Sequence, residues 1–338
     1  MKLSKNQFFN FEILRKSKLF PFFAALFSSI IFSSEPAYST KEFDKCSALT
    51  LPDKISLSGG APNLNTGTLP NGDVGETGCT ISPQTFKVVA HELGICTEGN
   101  NPFSTSGLDT SGCFTLWSSD AGEEYNLVDE NGNPQIFALD ETTVNEPPLG
   151  TYKYAYIIID DTIKIKATLP LAEETWKTSA VANHVEYRTT ATEEGPHNSI
   201  GKVTTDAADE FPTRVGYFDT GCYAENISVG GTNISGLMLQ ANKIDVATQS
   251  TNENNFGDTE LPYCDGSRFI AGVQTLSAPI DFTAETTSGT LSFDTTETAV
   301  WVGAYNYSSV DQDMRGVDDG PGRIYFDVGP FILRFTVN

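Results

Sequence analysis

The segment GTYKYAYIIIDDTIKIKATL, Gly150 to Leu169, alternates large apolar side chains with others at a period of two. Tyr152, Tyr154, Tyr156 and Ile158 share one phase. Beyond Asp160-Asp161 the apolar phase passes to Ile163, Ile165 and Ala167, with Lys164 and Lys166 opposite. Successive side chains of a pleated strand point to opposite faces, and β-branched and aromatic residues fit that surface. The segment therefore predicts strand, with Asp160-Asp161 as a turn or bulge at the change of phase. RVGYFDTG, LMLQANKI, SRFIAGVQTL, GTLSFDT, TAVWVGAYNY, RIYFDV and FILRFTV repeat this texture, separated by Gly, Asn, Asp and Pro. Many short strands with such punctuation predict an all-β fold, an antiparallel sandwich or jelly roll with little helix.

Two stretches compete for helix. In FKVVAHELGIC, Phe86 to Cys96, a helix would take Ser82 as N-cap, Pro83 at its first position and Gly94 just past its end. A strand would place Phe86, Val88 and Ala90 on one side and Val89, His91, Leu93 and Ile95 on the other. CFTLWSS, Cys113 to Ser119, is a plausible partner that a Cys96–Cys113 bridge would clip in place, so we read a strand. The next helix candidate is ETWKTSAVANHVEY, Glu174 to Tyr187.

His91-Glu92-Leu93-Gly94 also resembles the start of the HExxH helix of zinc peptidases. That chemistry needs two histidines at i and i+4, so that both imidazoles reach one ion. Position i+4 is Ile95, and His184 and His197 stand far along the chain. The motif excludes itself.

The first 39 residues read as a signal peptide. Lys2, Lys5, Arg15, Lys16 and Lys18 form a basic region, and Leu19 to Phe32 an apolar run shorter than the roughly 20 residues of a spanning helix. Ala37 and Ser39 offer a cleavage site before Thr40; a retained anchor is the alternative. Residues 40–80, crowded with Gly, Pro and Asn, read as a loop-rich arm. Residues 81–149 read as an N-terminal β region and 150–338 as a β-sandwich region, divided at the acidic, Pro-rich DETTVNEPPLG; a single domain over 81–338 is the alternative.

All six cysteines, Cys46, Cys79, Cys96, Cys113, Cys222 and Cys264, follow the export segment, and an even number in that setting predicts disulfides. Sequence order pairs Cys46 with Cys79, Cys96 with Cys113 and Cys222 with Cys264; the last two would each close a loop rich in Asn, Gly, Ser and Thr. The chain carries a net charge of −23, and loss of a basic leader makes the mature part more acidic still. Such a surface repels phosphate backbones, which argues against nucleic-acid binding.

Catalytic patterns are sparse. Asp160-Asp161, Glu173-Glu174, Glu193-Glu194 and Asp318-Asp319 are sequence pairs, and strand neighbours point apart, so none is a glycosidase dyad by itself. Ser199 and Lys202 spell SxxK without the companion motifs of penicillin-recognising enzymes. Asp311, Asp313, Asp318 and Asp319 form a loose calcium candidate, but Arg315 and Gly322 occupy positions where an EF-hand needs oxygen ligands. No other cofactor is indicated. Asp129 to Pro134 reads as a plain turn. Trp117, Trp176 and Trp301 could supply a sugar-stacking platform, but Trp117 and Trp301 sit in strand patterns and read first as core residues. Asn226, Asn233 and Asn306 begin glycosylation sequons.

These observations predict an exported, non-catalytic cell-surface or appendage protein, structural or adhesive, that is secreted or held at the cell surface, which in a bacterium means the periplasm or the outer surface. Its partners would be copies of itself, other surface proteins or glycans. Strand donation by the terminal GPFILRFTVN or by the 40–78 arm is one route to assembly. The alternative is a secreted carbohydrate-active hydrolase or carbohydrate-binding module on a β-sandwich.

Overall fold

The computed structural model describes residues 45–48, 51, 77–135, 145–182, 199–215, 218, 221–229, 231–251, 262–285, 289–305 and 323–337. The export segment, most of the 40–80 arm, His184, His197, Glu193-Glu194, Asn306 and the calcium candidates Asp311, Asp313, Asp318 and Asp319 lie outside the described residues.

The described chain is all-β and antiparallel. A single 3-10 turn, Cys46–Ala48, precedes twenty strands. These are β1 (Thr77–Ile81), β2 (Thr85–Thr97), β3 (Phe103–Ser104), β4 (Gly107–Leu108), β5 (Cys113–Asn126), β6 (Gly150–Asp160) and β7 (Thr162–Lys166). Next come β8 (Thr168–Pro170), β9 (Thr175–Ala182), β10 (Ser199–Val203), β11 (Phe211–Arg214), β12 (Tyr223–Val229), β13 (Thr232–Leu239) and β14 (Thr248–Thr251). The chain closes with β15 (Pro262–Asp265), β16 (Phe269–Phe282), β17 (Gly289–Asp294), β18 (Val300–Tyr305), β19 (Arg323–Val328) and β20 (Ile332–Val337).

One sheet has the order β1-β18-β19-β10-β9-β8. The larger sheet runs β11-β7-β2-β6-β16-β13-β12, with β5 also paired to β2. The alternating segment that opens the sequence lies across from β2 as one kinked strand. Thr85 faces Lys166 in β7 and Ala90 faces Ile159 in β6, with the break at Asp161. Its other edge divides at the same point, β16 following β6 and β11 following β7. Asp161 fixes this junction. Its carboxylate accepts bonds from Arg214 Nε at 2.9 Å and Ser267 Oγ at 3.4 Å, and its carbonyl accepts the Val215 N–H at 2.8 Å.

Both large sheets contribute to one apolar cluster. Val300, Val302, Ile324, Phe326 and Trp176 come from the smaller sheet; Phe86, Leu93, Ile157, Ile159 and Ile165 come from the larger. A shared core of this kind is what face-to-face packing of two sheets requires. Strands β17–β18 and β19–β20 form one long ribbon bent at residues 295–299 and 329–331. Its first half, β18–β19, lies in the smaller sheet, and its second half, β17–β20, adds Leu291, Phe293 and Leu333 to the core. Gly329 sits at the bend, where a Cβ would lie 2.1 Å from the Thr298 carbonyl oxygen. The buried Gln274 amide stands in for a strand edge: Nε2 donates to the Leu333 carbonyl at 2.7 Å and Oε1 accepts the Leu333 N–H at 2.8 Å.

The larger sheet is buried on its other face too. Cys96, Leu108, Tyr156, Ile158, Leu237, Leu239, Ala271 and Val273 form a second cluster. Consecutive burial of Ile157, Ile158 and Ile159 is the signature of a strand covered on both faces.

Three sequence readings need revision. The end of the candidate helix at Glu174–Tyr187 that is described is strand β9, where Trp176 packs into the core and alternates with outward polar residues. The two-phase reading of β2 fails because a bulge separates Ala90 from Glu92, so Phe86, Val88 and Ala90 join Leu93 and Ile95 in one core cluster. Tyr152 likewise leaves the phase of Tyr156 and packs with Ala155 and Ile157, since register shifts surround it. The three disulfides are Cys46–Cys79, Cys96–Cys113 and Cys222–Cys264, as sequence order predicts. No helix among the described residues is long and apolar enough to cross a membrane.

Candidate functional site

The bulge in β2 decides where the HELG residues go. Ala90 faces Ile159 and Glu92 faces Ile158, which leaves His91 as the extra residue against β6. Two bulge residues oppose one partner residue, and here both side chains reach groups on the outer face of the large sheet. Glu92 Oε1 accepts the Tyr156 hydroxyl at 2.6 Å and the Thr115 hydroxyl at 3.3 Å. Burial, reinforced by the bond to Glu92, pushes the Tyr156 phenol well above its ordinary range. The Tyr156 ring occupies the space over Gly94, where a Cβ would come within 2.3 Å of Cε1. HELG is thus a packing motif in this chain.

His91, 6 % exposed, meets a different set of groups. Its Nε2 lies 2.7 Å from Asp160 Oδ1 and its Nδ1 lies 3.3 Å from Lys243 Nζ. The ring packs edge-on against Phe269 with centroids 4.8 Å apart, and Lys243 Nζ sits 5.0 Å from the centre of the same Phe269 ring.

Lys243 belongs to the connection after β13, which folds as a tight loop. The Asn242 carboxamide oxygen accepts the N–H groups of Ile244 and Asp245, each at 3.0 Å, and Gln240 N donates to the Asp245 carbonyl at 2.9 Å. Lys243 holds a left-handed φ of 61°, which directs its side chain inward while Ile244, 57 % exposed, faces solvent. A second loop, between β2 and β5, lies alongside and contains the small β3–β4 hairpin. Leu108 N donates to the Ile244 carbonyl at 2.9 Å, and Gly107 pairs with Asp245. Cys96–Cys113 closes the base of this second loop, and Cys222–Cys264 ties the start of β12 to β15. The two loops are therefore clasped backbone to backbone over a buried apolar cluster, one closed by Cys96–Cys113 and the other anchored through Lys243 on His91. Ile244 is one of three exposed large aliphatic side chains among the described residues, with Leu149 and Val203.

The other candidates have structural occupations. Ser199 Oγ donates to the Ser179 carbonyl at 2.7 Å and accepts the Ser179 N–H at 2.8 Å, a clamp between β10 and β9; Lys202 pairs with Asp209 at 2.7 Å. Glu174 accepts the Trp176 indole N–H at 2.6 Å. Asp129 accepts N–H groups of Asn131 and Asn133, the turn read from sequence, and those bonds hold its carboxyl below the ordinary carboxylate value. Trp117 and Trp176 lie in the core, whereas Trp301 is half-buried and absent from the core cluster. Asn226 and Asn233 are exposed on β12 and β13. Among the described residues no three His, Cys, Asp or Glu side chains are grouped to hold a metal ion.

Sequence reasoning missed Lys243, Arg214 and Gln274. Lys243 falls inside LMLQANKI, which reads as strand from the sequence; β13 stops at Leu239 and the residues beyond it form the loop. Neither a protein-family model, a curated protein nor a solved structure matches this chain.

Proposed function

We propose that this chain is an exported, non-catalytic protein of the cell surface or of an appendage, acting by binding through the clasped loops on the outer face of its large sheet. The observation that carries the reading is the construction of that face. Loops that display binding residues work best when a rigid scaffold fixes them. Here two loops are bonded to each other, one is closed at its base by Cys96–Cys113, the start of β12 and β15, on either side of the other in the chain, are tied through Cys222–Cys264, and the pair presents an exposed Ile244. Disulfides of this number also suit an oxidising, extracytoplasmic location. Strand donation by the arm is constrained by Cys46–Cys79, which closes the chain between those cysteines into a covalent loop. The terminal strand β20 pairs along its length with β17 of its own chain.

A carbohydrate-binding module on the same β-sandwich is the second reading; the indole of Trp301 on β18 is half-buried. The test is saturable binding of the oxidised mature protein to surface preparations and purified glycans, alongside an assay for soluble sugars released. Binding without turnover supports the proposal. Turnover that disappears when one acid is changed transfers the case to a hydrolase.

A further inference from the structure

We propose that His91 is a proton-operated latch on the loop that carries Ile244. This rests on the reading of that loop as part of the binding face. A lysine ammonium has only donors, so its contact with His91 Nδ1 requires that nitrogen to be unprotonated. The ring proton is then on Nε2, donated to Asp160 Oδ1. A second proton has to go to Nδ1, where the Lys243 ammonium stands 3.3 Å away. Protonated His91 and docked Lys243 exclude one another.

The surroundings determine which partner yields. Among the described residues, Asp160 on β6 and Lys243 on the loop are the charged groups bonded to the ring. From β16 comes the Phe269 ring, and from β5 comes Gly122, where a Cβ would lie 2.7 Å from His91 Cε1. Glu92, next along β2, is turned to Tyr156 and Thr115. Asp160 accepts the Nε2 proton's bond in either state of the ring, and its place in β6 is fixed by sheet pairing. Lys243 sits on an exposed loop, in a left-handed conformation unfavourable to a residue with a Cβ and held only by its surroundings. On protonation of His91, Lys243 departs and the loop loses its inward anchor. Histidine is the side chain whose charge changes between about pH 5 and 8, a range that extracytoplasmic protein meets.

The test is amide hydrogen exchange of the oxidised mature protein across that range, corrected for intrinsic exchange. The reporters are Lys243 N–H, which donates to the Gln240 carbonyl, and Leu108 N–H, which donates to Ile244. If opening takes up one proton, it rises up to about tenfold per pH unit of acidification. Lys243→Met should expose both amides already at neutral pH and abolish the pH dependence; His91→Gln should abolish it too. A flat profile in the unaltered protein, or the same slope in Lys243→Met, overturns the latch. No partner enters the measurement, so failure here is distinguishable from failure of the binding proposal.

Discussion

Gly94→Ala sets two expectations against each other. Glycine inside a strand loses more conformational freedom on folding than alanine, so propensity alone predicts a gain of roughly 0.5–1 kcal/mol. The structure predicts a loss. The new methyl would lie 2.3 Å from Tyr156 Cε1 and 2.5 Å from Cζ and from the hydroxyl oxygen, so the ring must move. Forcing a methyl into a packed site costs about 1–3 kcal/mol. Displacing the ring also breaks the 2.6 Å bond to Glu92, and a hydrogen bond to a charged group is worth about 1.5–3 kcal/mol. The combined loss should be about 3–4 kcal/mol. Tyr156→Phe removes the same bond without the clash, so the two substitutions lose it once, not twice. Urea denaturation with the disulfides intact should show the double variant less destabilised than the sum of the singles by about the worth of that bond. Strict additivity, or any stabilisation by Gly94→Ala, would refute the argument.

Asp161→Ala leaves Arg214 in a nearly buried site without its 2.9 Å partner and should cost about 3 kcal/mol in the same assay; a loss under 1 kcal/mol would mean that β11 is not held through Asp161. Replacing Cys222 and Cys264 with serine removes a bridge spanning 42 residues and should cost about 4 kcal/mol on the chain-entropy account, lowering the melting temperature by several degrees. An unchanged melt would contradict the pairing. Burial raises the Asp294 carboxyl, but the bonds from Arg334 and Thr296 outweigh it and hold the group below its ordinary value of 3.8. A depressed carboxylate stabilises the fold above its unfolded value, and that stability is lost as pH falls through the folded one. Arg334→Gln should therefore lower stability most at neutral pH, less as pH falls below the folded value, and move the acid-unfolding midpoint, followed by circular dichroism, to higher pH; an equal loss at neutral and acid pH would contradict the role given to Asp294.

Much of the fold was legible because its signals are local. The alternation from Gly150 to Leu169 is a property of pleated backbone, and it locates β6 and β7 and even their break at Asp160-Asp161. The disulfides followed from order because each joins segments that a short excursion brings back together. The phase of β2 was not legible. A bulge of one residue at His91 reverses the facing of everything beyond it, and no composition marks it; the neighbouring Gly122, with φ 73°, is needed only because of what β2 does opposite. The same limit applies to the site. His91 invites a zinc reading by its neighbours in sequence, but its role depends on Lys243, 152 residues away. Whether Glu174 or Ser199 is reactive or structural is set by bonds to Trp176 and to the Ser179 backbone, which only the sheet register supplies.

The claim that the clasped loops form the binding face is tested most directly by Ile244→Asp. The substitution alters an exposed tip and leaves the Lys243 anchor and both disulfides in place. Titration of the fluorescently labelled, oxidised mature protein onto surface preparations of the producing cell should give saturable binding. The variant should bind at least about tenfold more weakly, some 1.4 kcal/mol, with an unchanged melting temperature. Equal binding by the two proteins at equal stability would contradict the account and place the contact surface elsewhere on the molecule.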